Sequence, residues 1–177
     1  MNVRAGDVAK VAALLFVAAI LQSTVFSGVD ILRGTPDLVL VTLLAVALLR
    51  GTVVGAVGGF FAGLLVDTAL DVQTIGLTSL LLTVAGYWIG RYGETTGRDR
   101  AHAPFLSVAV VTFLYAFASL LVHFVLGDPA PGGAVARGVL PSIVLNLALT
   151  APVFWLCRRL LRPPDWAERA QEVRLLG

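Results

Sequence analysis

Six long apolar runs, separated by short polar segments, limit most strongly what this chain can fold into. They lie near residues 8–26, 37–49, 53–70, 75–92, 104–126 and 139–157. A helix that spans a bilayer needs about 20 residues, within a range of about 17 to 25, so five of the runs are long enough. The run at 37–49 is short, and we interpret it as a short or tilted span, with a re-entrant segment as the alternative. The runs use most of the 177 residues, so no soluble catalytic domain remains.

The composition indicates the same class of protein. Hydrophobic residues make up 58% of the chain and charged residues 14%, and the mean hydropathy is +0.89, far above the values of a soluble domain. The sequence therefore predicts an all-α polytopic membrane protein with six transmembrane helices in one domain, residues 1–162. In residues 163–177, Trp166, Ala170 and Val173 recur at helical spacing, which predicts a cytoplasmic amphipathic tail at the headgroup level. A frayed polar tail is the alternative.

The basic residues are divided very unequally between the two ends of these spans. Six spans place eleven Lys and Arg residues on one side and only Arg33 and Arg137 on the other. Loops rich in Lys and Arg stay in the cytoplasm, so the sequence predicts that both termini are cytoplasmic. A basic inner surface suits anionic lipid headgroups, and we expect membrane lipids rather than nucleic acid to contact it.

The third run has a glycine at every fourth position. Gly51, Gly55, Gly59 and Gly63 follow this spacing, and the next step of four reaches Asp67. On a helix these residues share one half of the surface. Glycines at four-residue steps let another helix approach closely, and close packing is what holds helices together in a bilayer. The pattern predicts a contact face, which packs either on another helix of this chain or on the helix of a partner.

Three acidic residues lie at or near the predicted outer ends of the spans. A carboxylate inside a span usually faces protein or water and marks a functional position, although Asp67 would also serve by bonding the outer loop that contains Asp71. Pro36 and Asp37 open the second span, where proline is tolerated and an acid complements the helix dipole. Contact with a partner on the outer face is the second interpretation of Pro36, Asp37 and Asp71.

Other polar residues within the runs have modest expected roles. We expect Asn146 to form an interhelical hydrogen bond, with the lining of a cavity as the alternative, and His123 to lie near the outer interface. The sequence contains no Walker-type glycine loop, no metal-ligand cluster and no nucleophile paired with a base, the usual signs of an enzyme. It therefore predicts a protein that is not an enzyme and has no cofactor.

Three segments in the middle of the chain resemble a known family. They are PDLVLVTLLAVALLRG at 36–51, GAVGGFFAGLLVD at 55–67 and IGLTSLLLTVAGYWIGR at 75–91, and they are similar to the rod shape-determining MreD family. The resemblance implies a bacterial inner-membrane protein whose six-helix fold is similar to that of the substrate-binding subunits of energy-coupling-factor transporters.

The resemblance also implies a function and partners. It implies a non-catalytic scaffold of the cell-wall elongation machinery that helps maintain rod shape and regulate peptidoglycan synthesis. The implied direct partner is MreC, through which the protein would connect to the MreB filament, the RodA polymerase and its penicillin-binding transpeptidase. Pairing into a homodimer is left open. The alternative function is a membrane subunit that captures a small molecule, whose sign would be several polar side chains converging in an outward-facing pocket.

Overall fold

The described part of the chain is helical. The computed structural model describes residues 5–26, 34–69, 76–97, 102–125, 127 and 132–161. The helices are α1 (Ala5–Leu21), α2 (Leu38–Arg50), α3 (Thr52–Ala69), α4 (Leu77–Tyr92), α5 (Ala103–Val125) and α6 (Gly132–Leu160). Two π-helical turns, Gln22–Phe26 and Gly93–Gly97, continue α1 and α4. Each helix overlaps one of the six apolar runs, and the predicted tail at 163–177 lies outside the described residues.

Four of the described helices are long and apolar enough to cross a membrane. These segments are Gly6–Val25, Thr52–Ala69, Ala103–Leu121 and Arg137–Leu160. Helices α2 and α4, with 13 and 16 residues, are shorter and are not among these four. Gly76 has φ of 99° and forms the turn before α4, a left-handed conformation that glycine adopts freely and that a helix does not continue. The run that was predicted to start at residue 75 therefore becomes helical only at Leu77.

Helix α2 is the centre of the molecule. All ten residues from Val39 to Leu48 are buried, and α2 packs against each of the other five helices. Its 13 residues rise only about 20 Å, whereas the hydrocarbon core of a bilayer is about 30 Å thick. A helix this short is tolerated at membrane depth because protein, and not lipid, surrounds the irregular backbone before it.

Helices α3 and α4 form an antiparallel pair with the most extensive contact in the bundle. Burial on α3 follows the small residues and Asp67, since Gly55, Gly59 and Gly63 are buried. The bulky side chains on the opposite half, among them Val53 and Phe61, are exposed. In water this distribution would be inverted, so α3 has the pattern of a helix that packs through small residues and presents large apolar ones to lipid.

Candidate functional site

The glycine face of α3 lies directly on the backbone of α4. A methyl group added to Gly55 would overlap the carbonyl oxygen of Gly86, and one added to Gly59 would overlap the carbonyl of Leu82. At Gly63 the added carbon would overlap the Cα of Ser79. Backbone atoms cannot move aside as the end of a side chain can, so each of these positions requires glycine. The contact on this face is thus made within the chain.

Helix α4 contributes a matching row of small residues. An added carbon on Gly90 would lie 2.6 Å from the carbonyl carbon of Gly51, and one on Gly86 would lie 2.6 Å from that of Gly55. The Ser79 hydroxyl donates a hydrogen bond of 2.8 Å to the Phe60 carbonyl. We call this two-sided contact the glycine seam. Sequence reasoning missed its second side, although the four-residue step from Gly86 to Gly90 was a readable signal.

Asp67 closes the glycine seam at the end where α3 leads to α4. It is fully buried, and its Oδ2 accepts a hydrogen bond of 2.7 Å from the backbone N–H of Gly76. The carboxylate therefore joins the last turn of α3 to the residue that precedes α4. Its other oxygen, Oδ1, is also buried and has no hydrogen-bond partner. Asp67 makes the bond to the connecting loop that the sequence left as one of two interpretations.

The start of α2 is held by side chains instead of a preceding helical turn. Asp37 is the N-cap, and its Oδ1 accepts from the Leu40 N–H at 2.9 Å. The Leu38 N–H donates to the side-chain oxygen of Gln22 at 2.7 Å, and the side-chain nitrogen of Gln22 donates to the Pro36 carbonyl at 3.1 Å. Pro36 thus lies before the cap and not in the first turn. These bonds satisfy backbone groups that would otherwise be costly to bury.

Asn146 of α6 completes this cap from the opposite side. Its Oδ1 accepts from the Asp37 N–H at 2.8 Å, and its Nδ2 donates to the Thr112 hydroxyl of α5 at 3.1 Å. One turn earlier on α6, the Ser142 hydroxyl accepts from the Thr35 N–H at 3.2 Å. Asn146 therefore forms the interhelical bond that was expected and also anchors the entry to α2. Polar side chains do converge at this end, but they bond one another and the backbone.

Arg50 connects three helices at the opposite end of the bundle. Its Nη1 lies 2.9 Å from Asp7 Oδ2, and its Nη2 donates to the Leu161 carbonyl at 3.2 Å. Only 16% of the Arg50 side chain is exposed. One guanidinium thus ties the end of α2 to the first turn of α1 and to the end of α6. The sequence did not reveal the pair, because Asp7 is 43 residues away and nothing local connects the two.

Glu94 caps α3 from the π-helical turn after α4. Its carboxylate accepts from the Thr52 N–H at 2.8 Å and from the Thr52 hydroxyl at 2.7 Å. An acid at a helix N-terminus satisfies a free N–H and complements the helix dipole. The seam is therefore fastened at both ends by a carboxylate, with Glu94 at one end and Asp67 at the other.

Two predicted site residues have no described side chain. Asp71 lies outside the described residues, and His123 lies in α5 with its side chain outside them. Among the residues that the structure does describe, no group of three His, Cys, Asp or Glu side chains could hold a metal ion.

The comparison with protein families gives one match, and it covers most of the chain. The model of the family described as rod shape-determining protein MreD matches residues 8–162, which include α2 to α6 completely and α1 except for its first three residues. No curated protein and no solved structure matches the chain. The resemblance based on the central segments is thereby confirmed.

Proposed function

We propose that this chain, which belongs to the MreD family of rod shape-determining proteins, is a non-catalytic membrane scaffold of the cell-wall elongation machinery. In this machinery its direct partner would be MreC. Membership of the family assigns a role in rod-shape determination. In the proposal, the protein acts by presenting fixed helices to MreC, and through MreC it influences peptidoglycan synthesis by the RodA polymerase and its penicillin-binding transpeptidase.

The observation that carries the proposal is that the buried glycines and polar side chains hold helices against one another. Backbone contact along the glycine seam, the capped start of α2 and the Arg50 bonds all fix one helix against another. Polar side chains that hydrogen-bond across helices hold a membrane bundle together, and this use of the buried groups favours a structural role over a chemical one. The glycine face itself is covered by α4, so its part in the scaffold is to keep the core closed, and MreC would contact a surface that remains open.

The orientation and the fold relationship belong to the same proposal. Lys10, Arg50, Arg91, Arg158 and Arg159 lie at one end of the bundle, at the start of α1 or at the ends of α2, α4 and α6. Arg137 lies in the second turn of α6, at the other end. This separation supports cytoplasmic termini in a bacterial inner membrane. Five helices around a buried central one also suit a fold similar to energy-coupling-factor substrate-binding subunits.

Co-purification from native membranes tests the proposal. The tagged protein is extracted in mild detergent, and mass spectrometry identifies what remains bound. Recovery of MreC in amounts comparable to the tagged protein is expected. Recovery of an energy-coupling ATPase module or of a bound small molecule, without MreC, would contradict the scaffold and support the capture subunit.

A pair of variants separates folding from partner binding. In Gly59→Leu, the new side chain must displace the backbone of α4, so we expect loss of the folded protein together with loss of MreC. The control is Gly6→Leu, since an added carbon on Gly6 has no neighbour within 4 Å. If Gly59→Leu folds as stably as Gly6→Leu and loses only MreC, the glycine face is a partner interface and its role in closing the core is wrong.

A further inference from the structure

A groove lies on the lipid-facing side of α1 and α3, and the contact between Asp7 and Arg50 described above lies at one end of it. It has a volume of about 750 Å³, and its lining is apolar except for Asp7 and Arg50 at one end. Val57 and Phe61 of α3 and Phe16 of α1 lie along it and are half exposed. The volume is within the range of about 300 to 1,000 Å³ that is typical of small-molecule sites.

The length of the groove corresponds to one leaflet of the bilayer. From Asp7 to Phe16, its lining on α1 rises about 14 Å, and from Val53 to Leu65 its lining on α3 rises about 18 Å. One leaflet contributes about 15 Å of the hydrocarbon core, whereas a transmembrane helix needs about 30 Å of surface. Beyond the groove, the π-helical turn Gln22–Phe26 packs against α3. The apolar lining is therefore much shorter than a transmembrane helix, which suits a lipid chain better than a partner's helix.

The open end of the groove is the basic end of the protein. Arg50 lines it and pairs there with Asp7, and the exposed Lys10 lies one turn from Asp7, so these three charges sum to one positive charge. Exposed Arg158 and Arg159 at the end of α6 lie at the same end of the bundle. Basic residues at the membrane surface attract anionic lipid headgroups. Charge at the mouth and apolar lining behind it are the two halves of a phospholipid site.

We propose that the groove between α1 and α3 binds one anionic phospholipid, with an acyl chain against Val57 and Phe61 and the phosphate near Arg50. The site holds a lipid of the leaflet at the Arg50 end, and it does not depend on which partner the protein has. The bound lipid would fill the space between α1 and α3 and hold α1 at a fixed distance from α3.

Lipid retention in matched variants tests this site. The protein is purified in mild detergent, and native mass spectrometry counts the phospholipids that remain on it. Val57→Trp fills the groove, and the control Val84→Trp places the same side chain on the exposed face of α4, since Val57 is 51% and Val84 48% exposed. We expect one phospholipid on the wild type and on Val84→Trp, and loss of it from Val57→Trp. Equal retention by both variants would overturn the proposal.

A photoreactive phospholipid tests where on the protein the lipid binds and which headgroup the site prefers. Vesicles contain phosphatidylglycerol or phosphatidylethanolamine with a photoreactive acyl chain, and the crosslinked peptides are mapped. Crosslinks should concentrate on residues 8–16 and 53–65, with a preference of about fivefold for phosphatidylglycerol, the effect of one basic residue near the surface. An even distribution over the exposed faces of α4 and α5 would show ordinary surrounding lipid and would contradict the site. If a photoreactive amino acid introduced in place of Val57 crosslinks to a second protein, that result would also contradict the lipid site.

Discussion

At the residue scale, neighbouring glycines of α3 have opposite constraints. A carbon added to Gly59 overlaps the backbone of α4, whereas one added to Gly58 lies 2.9 Å from Cδ1 of Leu15, the movable end of a side chain. The two positions are adjacent in sequence and differ by 100° around the helix. What decides their roles is therefore the neighbour that each meets, and not their identity as glycine.

We predict that Gly59→Ala destabilises the protein and that Gly58→Ala does not. Forcing a methyl group against fixed backbone costs about 1 to 3 kcal/mol. At Gly58, the side chain of Leu15 moves aside, and the better helix propensity of alanine contributes up to about 1 kcal/mol. Thermal unfolding in detergent measures both. Equal melting temperatures for the two variants would mean that the close contact between α3 and α4 does not exist.

For Asp67 we predict that Asn preserves stability and Ala reduces it. Asn keeps an oxygen that accepts from the Gly76 N–H, and it removes a buried carboxylate whose Oδ1 has no partner. Ala loses the hydrogen bond, which contributes about 0.5 to 1.5 kcal/mol, and leaves the N–H of Gly76 unpaired. Melting temperatures of the three proteins test this order. If Asp67→Asn is as unstable as Asp67→Ala, the negative charge itself is required at this position.

At the scale of elements, helix ends were harder to predict than helix existence. All six helices follow from the apolar runs, but the start of α4 and the start of α6 were misplaced by two and seven residues. Apolar composition continues through Gly76 without interruption, while its backbone conformation ends the helix. At α6, the helix continues back to Gly132 through a segment with Arg137 that a count of apolar residues excludes. Local polarity is thus a weak guide to where backbone hydrogen bonding stops.

The cap of α3 by Glu94 provides a prediction for a helix end. Replacing Glu94 by Ala removes two acceptors at Thr52, so the melting temperature should fall by an amount corresponding to about 0.5 to 2 kcal/mol. Glu94→Gln keeps one acceptor, so its melting temperature should lie between those of the wild type and Glu94→Ala. The control is Thr95→Ala, because the exposed Thr95 hydroxyl bonds only within its own turn. A loss of stability as large in Thr95→Ala would assign the effect to the turn and not to the cap.

At the scale of the whole molecule, α2 determines the arrangement. A helix buried on all sides needs neighbours on every face, and the other five helices supply them. Side chains from other parts of the chain fasten both of its ends, with Asn146 and Gln22 at one and Asp7, which pairs with Arg50, at the other. The scaffold proposed here is therefore assembled around its shortest predicted span.

The orientation of the whole molecule can be measured with single cysteines. Cys157 is buried with 1% of its surface exposed, so the native protein should give little background with a membrane-impermeant maleimide. Because the predicted six spans would place eleven of the thirteen Lys and Arg residues on one side, Asp128→Cys should be labelled in spheroplasts and Gly6→Cys only after the membrane is permeabilised. The reverse pattern would invert the predicted topology.

The sequence by itself determined the helical class of fold, the presence of the six described helices and the family, because apolar length and small-residue spacing are local properties. It also indicated that Gly55, Gly59 and Gly63 form a contact face. Which helix covers that face was decided only by the tertiary structure, as were the pairing of Arg50 with Asp7 and the capping of α3 by Glu94. Each of these depends on residues far apart in the chain, and no local pattern records which distant backbone or charge will meet another once the helices pack.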